Sequence, residues 1–77
     1  MNKLKVGVIF GGMSTEHDVS IVSGTSVVKN LNKDKYTIYP VFIDKQGRWF
    51  FNEKFDDINN IINYKNLKTC HNLTNNY

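Results

Sequence analysis

The 77-residue sequence has one cysteine and one proline. A single thiol, Cys70, excludes an internal disulfide framework and fits a reducing compartment. Long apolar runs are also missing. After the basic start Met1–Lys5, the run Val6–Phe10 holds only five residues before a glycine pair. A secretory signal needs roughly 7–15 apolar residues and a membrane span about 20, so neither is expected and a cytoplasmic location is. Charge of one sign does not gather anywhere. The net charge is +3, and the lysines at 3, 5, 29, 33, 35, 45, 54, 65 and 68 are scattered as on a solvated surface. Nucleic acid and membrane are therefore not expected partners. Two phosphate-binding signatures are absent as well. Phe10-Gly-Gly-Met-Ser-Thr15 has neither G-x-G-x-x-G spacing nor a G-K-[ST] ending, which argues against a Rossmann cofactor loop. Glu16 and His17 have no further donor at metal-ligand spacing. Cys70-His71 has no positioned base that would make it a nucleophilic pair.

What is present is concentrated near the N-terminus. Val6-Gly-Val-Ile-Phe10 is continuous and β-branched, as in a strand covered on both faces. Gly11-Gly12 makes a tight turn, and Ser14-Thr15-Glu16-His17-Asp18 starts a helix. Ser14 or Thr15 can cap that helix, while Glu16 and Asp18 suit the positive end of its dipole. Val19, Val22 and Ser26, extended by Val27, Val28 and Leu31, are the expected apolar face, and Gly24 in mid-helix implies close packing. A second strand, Tyr36–Ile43, contains Pro40. That proline requires an edge position or a nitrogen turned away from the partner strand. Strand, helix and strand form a βαβ unit, and Asp44–Gly47 turns the chain into a short strand, Arg48–Phe51.

From Asn52 onward the character changes, with eight asparagines in the last 26 residues. Phe55, Ile58, Ile61 and Ile62 have helical spacing, so a short helix over 55–65 is expected, followed by a run without period after Leu67. The expected division is a partial α/β domain over 1–51 and a poorly defined tail over 52–77.

In open α/β sheets, ligands bind beyond the C-terminal ends of the strands. Glu16 stands at that edge. Its local reading leaves two alternatives: a surface carboxylate complementing the helix dipole, or a crevice group that accepts hydrogen bonds from a substrate ammonium. His17 reads as solvent-exposed or as a local hydrogen-bonder.

The run Lys5-Val-Gly-Val-Ile-Phe-Gly-Gly-Met-Ser-Thr-Glu-His-Asp-Val-Ser-Ile-Val-Ser-Gly24 closely resembles the N-terminal motif of D-alanine–D-alanine ligases. It also resembles their D-Ala–D-Ser and D-Ala–D-Lac relatives in glycopeptide antibiotic resistance. The likeness continues through Lys35-Tyr36, Tyr39-Pro40-Val41, Ile43-Asp44-Lys45 and Gly47-Arg48-Trp49.

The resemblance implies an incomplete α/β domain with an open, mostly parallel sheet built on the βαβ unit. This is the Rossmann-like, pre-ATP-grasp N-terminal part of a peptidoglycan-synthesis ligase. It implies ATP and Mg²⁺ in the full-length enzyme, with neither bound by this segment, and D-alanine as substrate. It also implies an acyl-phosphate intermediate and a homodimer. By the same resemblance Glu16 is the catalytic-site residue that holds the ammonium of the first D-alanine. Val19 lies against the substrate, and Gly12 and Ser14 open space for it. The segment alone is expected to lack ligase activity. The alternative is an interaction module that self-associates, or pairs with an intact ligase, through Val27-Val28-Leu31 or Trp49–Phe51.

Overall fold

The computed structural model describes residues 2–67 and 70–74. The expected open α/β arrangement is present. Strand β1 (Leu4–Gly11) leads through a short loop into helix α1 (His17–Asn30), which returns the chain to β2 (Tyr36–Ile43). β3 (Trp49–Phe51) follows the turn at Asp44–Gly47. Beyond it come α2 (Ile58–Ile62), a single 3₁₀ turn (Tyr64–Asn66) and β4 (His71–Asn72). The four strands form one sheet in chain order, β1-β2-β3-β4. β1 and β2 are parallel, and the other two pairings are antiparallel. In the run after Leu67, residues 68, 69 and 75–77 lie outside the described residues.

β2 is an inner strand, not an edge, and Pro40 is accommodated by orientation. The carbonyls of Lys35 and Ile43 accept from Leu4 and Gly12 on the β1 side. By alternation along the strand, Pro40 turns its nitrogen the other way. On that side β3 reaches only as far as Val41, so the missing N–H breaks no ladder bond.

The helix face differs from the one that valine spacing suggests. His17, Gly24, Thr25 and Val28 are buried, whereas Val19, Val22 and Val27 remain 48–60% exposed. The cause is Gly24: a Cβ built there would lie 2.4 Å from Cβ and Cγ of Phe10. Close approach of the helix to the Phe10 side chain turns the glycine toward the sheet and carries the valines outward. Thr25, on the same side, satisfies its hydroxyl on the Ile21 carbonyl at 2.8 Å.

Phe42 is the hub of the core. Its ring lies 6.1 Å from Phe10, 6.1 Å from Phe55, 5.1 Å from Tyr64 and 5.6 Å from His17. Phe55 and Ile61, both buried, close the same face of the sheet from the second half of the chain. The tail residues 55, 58, 61 and 62 thus divide: Phe55 and Ile61 face the core, while Ile58 and Ile62 are exposed.

The turn after β2 is held by Asp44, which is buried. Its carboxylate accepts from the backbone N–H of Gln46 and Arg48, from Arg48 Nε at 2.8 Å and from the Tyr64 hydroxyl at 3.0 Å. Burial raises the affinity of this carboxyl for a proton, but the hydrogen bonds from Arg48 and Tyr64 outweigh it and leave the pKa below its usual 3.8. A depressed folded-state pKa adds stability that is present above the unfolded value and lost as pH falls through the folded one. Denaturant melts between pH 6 and pH 2.5 should therefore show stability declining below about pH 4. Asp44→Asn should be less stable at pH 6, by about 1–3 kcal/mol, and should show a shallower acid limb. Equal acid limbs for the two proteins would remove Asp44 as the source.

Candidate functional site at the β1–α1 corner

The C-terminal end of β1 reaches α1 through two glycines with left-handed backbones, Gly11 at φ 92° and Gly12 at φ 106°. At Gly11 a side chain is excluded twice over, because a built Cβ would stand 2.3 Å from the Ile43 carbonyl oxygen. The N–H of Gly12 donates to that same carbonyl at 2.8 Å, and the N–H of Gly11 donates to Ser20 Oγ at 2.9 Å. Around Gly12 the surroundings are the opposite. A built Cβ meets nothing within 4 Å.

The helix start is organised by Ser14. Its Oγ accepts from the Glu16 N–H at 3.2 Å, and its carbonyl accepts from the His17 N–H at 3.2 Å. Glu16 occupies the capping position without a side-chain hydrogen bond to the helix. Its carbonyl takes the first helical bond, from Ser20 at 2.8 Å. Its side chain is exposed, at the positive end of the α1 dipole. Val19 follows three residues later, one helical turn along, and is 60% exposed.

The four site residues expected from the sequence therefore lie on one short stretch at the C-terminal end of β1. Gly12 and Ser14 border the loop, and Glu16 and Val19 stand side by side on the exposed flank of the first helical turn. Of Glu16's two local readings, the geometry leaves both the exposed carboxylate and the free space beside Gly12.

His17 carries more of the architecture than its sequence position suggests. It is buried, and its Nδ1 lies 2.5 Å from the Gly12 carbonyl oxygen. A carbonyl can only accept, so Nδ1 bears the hydrogen. The imidazole packs edge-on against Phe42 and ties the glycine turn to the core. Of the two sequence alternatives for His17, the local hydrogen-bonder holds. Nothing in a Glu-His-Asp triplet distinguishes which of three adjacent polar residues turns inward; helix phase does.

A cavity of about 290 Å³ opens beneath this corner, between α1, the end of β2 and α2, with His17, Phe42, Asp44, Lys45 and Tyr64 in its wall. Gly12, Ser14, Glu16 and Val19 do not line it. They form an open wall. The Cys70 thiol is pushed up by burial and packs beside the core, and His71 stacks on Phe51, so the two neighbours serve separate contacts.

Among the described residues no group of three or more His, Cys, Asp or Glu could hold a metal ion. The described residues thus offer no such donor set for the Mg²⁺ that the resemblance implies for the whole enzyme. No helix among the described residues is long and apolar enough to cross a membrane.

The profile of a protein family described as "D-ala D-ala ligase N-terminus" matches residues 5–75. A D-alanine–D-alanine ligase B of Clostridium tetani is 54% identical over 63 residues, covering 82% of this chain and 17% of the relative. Among solved structures, the VanG D-Ala:D-Ser ligase from Enterococcus faecalis superposes with a TM-score of 0.75 at 33% identity, over 90% of this chain and 20% of that one. The D-alanine–D-alanine ligase from Coxiella burnetii gives 0.71 at 35% identity, over 83% and 20%. The chain thus spans a fifth or less of the length of these relatives.

Proposed function

We propose, since this chain belongs to the D-alanine–D-alanine ligase N-terminal family, that its β1–α1 corner is the first-substrate wall of such a ligase. The observation that carries this reading is the exposed Glu16 carboxylate beside a glycine turn with open space at Gly12. In this reading Glu16 accepts hydrogen bonds from the ammonium of the first D-alanine, a charge-assisted contact. Val19, one turn along, packs against the substrate's apolar side. Gly12 lets the substrate approach the backbone, and Ser14 fixes the loop so that the carboxylate is presented at a constant angle. His17 holds the turn from beneath as a positioning residue.

The same proposal covers the whole enzyme: an ATP-grasp ligase of cytoplasmic peptidoglycan synthesis, homodimeric, joining D-alanine to D-alanine, D-serine or D-lactate. In that enzyme the first D-alanine's carboxylate is activated as an acyl phosphate and attacked by the second substrate's amine or hydroxyl. None of that chemistry is assigned to residues of this chain. Residues 1–51 are its share of the substrate-binding portion; alone, the chain is inactive.

The test is a chimera in which residues 5–75 replace the matched segment of the Clostridium tetani ligase. Formation of the dipeptide at a rate within about tenfold of the parent is expected, since that factor equals only about 1.4 kcal/mol of misplacement. A folded chimera that forms no dipeptide would sink the assignment.

A further inference from the structure

Two hydroxyl residues of α1 use their oxygens differently. Thr25 turns its hydroxyl back on its own helix, to the carbonyls of Ile21 and Val22 at 2.8 and 3.2 Å. That is the common habit of Ser and Thr inside a helix. Ser20 reaches out of the helix instead. Its Oγ stands 2.9 Å from the Gly11 nitrogen, and an amide N–H can only donate, so the hydroxyl oxygen accepts. The Gly12 N–H turns toward β2 and the Ile43 carbonyl. By alternation the Gly11 N–H leaves the strand on the opposite side, where Ser20 meets it. The backbone N–H of Ser20 meanwhile donates to the Glu16 carbonyl at 2.8 Å. One residue thus bonds the end of β1 with its side chain and Glu16 with its main chain.

We infer that Ser20 is a positioning residue for Glu16, setting where its carboxylate stands relative to the glycine turn; this rests on the first-substrate reading of the corner. The Glu16 side chain makes no capping hydrogen bond, so its backbone is what places it. Both backbone groups are held, the N–H by Ser14 Oγ at 3.2 Å and the carbonyl by Ser20. Ser14 belongs to the same exposed loop and does not refer Glu16 to the strand. That reference comes from two residues. His17 bonds the Gly12 carbonyl from the buried side, and Ser20 bonds the Gly11 N–H from the half-buried flank. A single tie lets the first helical turn pivot about it, whereas two fix its direction.

The same contacts separate positioning from stability. α1 is docked further along, where Gly24 meets Phe10 and where Thr25 and Val28 are buried. Loss of the Ser20 hydroxyl leaves those contacts and the His17 tie in place. The helix then stays on the sheet while its first turn loses an anchor. A displacement of about 1 Å in a binding group is enough to cost about 100-fold in rate, so a small release matters at Glu16. Every atom in this arrangement lies between Gly11 and Ser20, inside the family-matched segment 5–75.

The test is a double-mutant cycle in the chimeric ligase, with KM read separately for the two D-alanine sites. Ser20→Ala should raise first-site KM by about tenfold, with second-site KM and the melting temperature little changed. Ser20→Cys, similar in size but a weak acceptor, should behave alike. Ser20→Thr keeps the accepting oxygen and should recover most of the loss. In a Glu16→Gln background Ser20→Ala should add less than about twofold, because residues that act through one another are not additive. Unchanged first-site KM in Ser20→Ala and Ser20→Cys overturns the positioning role. So does a tenfold rise that persists beside Glu16→Gln, or a lowered melting temperature with both KM values moving together. Glu16→Gln that itself leaves first-site KM unaltered is a separate outcome, which removes the substrate reading and the role of Ser20 with it.

Discussion

Glu16→Gln, made in the chimeric ligase, is expected to raise KM for the first D-alanine by about 10- to 100-fold. The factor follows from the contact proposed. A hydrogen bond between charged partners contributes about 1.5–3 kcal/mol, and each 1.4 kcal/mol is a factor of ten. Glutamine keeps the length and one acceptor oxygen, so the loss isolates the charge. The fold should not move. The Glu16 side chain makes no capping hydrogen bond and is exposed, so only its interaction with the α1 dipole is lost, about 0.3–1 kcal/mol. Steady-state kinetics that separate the two D-alanine sites would show the change at the first site alone. Unaltered first-site KM and turnover would return Glu16 to the role of a dipole-complementing surface residue.

The second large effect separates the two glycines next to each other in the turn. Both have left-handed backbones, so alanine at either position is strained by about 1–2 kcal/mol. Only at Gly11 does the methyl also strike a fixed backbone atom, the Ile43 carbonyl oxygen at 2.3 Å. That oxygen accepts from the Gly12 N–H, so relief means pulling β1 from β2 at the end of their parallel ladder. Gly11→Ala should cost about 3 kcal/mol or more, enough to unfold a chain of this size in a thermal melt. Gly12→Ala should cost only the backbone strain. Its methyl enters the open space assigned to substrate, and in the chimera it should raise first-site KM more than it lowers the melting temperature. Equal destabilisation by the two substitutions would contradict the geometry of the turn.

The difference between these neighbours shows where sequence reasoning reaches its limit. Strand, glycine turn and acidic helix start were legible because each is a local matter. β-branched residues favour extended backbone, paired glycines permit positive φ, and Ser and Glu suit a helix N-terminus. The motif also located Gly12, Ser14, Glu16 and Val19 on one stretch. It could not say that Gly11 and Gly12 are constrained for different reasons, because Ile43 is thirty-two residues away from Gly11 in the chain. Nor could it choose the inward residue of the helix. The valines at 19, 22 and 27 are apolar enough to be core, but the contact of Gly24 with the Phe10 side chain decides the rotation and leaves them outside. Pro40 was similarly ambiguous: its two tolerated placements differ only in which side its nitrogen faces, and that is set by pairing with β1.

Asp44 and His17 teach the same lesson from the polar side. Asp44 reads as a turn residue, and it is one. Its burial depends on Tyr64, which arrives from a part of the chain that looked merely asparagine-rich. His17 reads as one member of a polar triplet, and becomes the buried tie between the Gly12 carbonyl and Phe42.

By itself, then, the sequence determined the order of elements from β1 to α2, the glycine turn and the family resemblance that points to Glu16, because these rest on local backbone preference and residue identity. Tertiary structure alone decided which face of α1 is buried, which glycine is sterically locked and how Asp44 is paired. Each of these depends on atoms that meet across long stretches of chain.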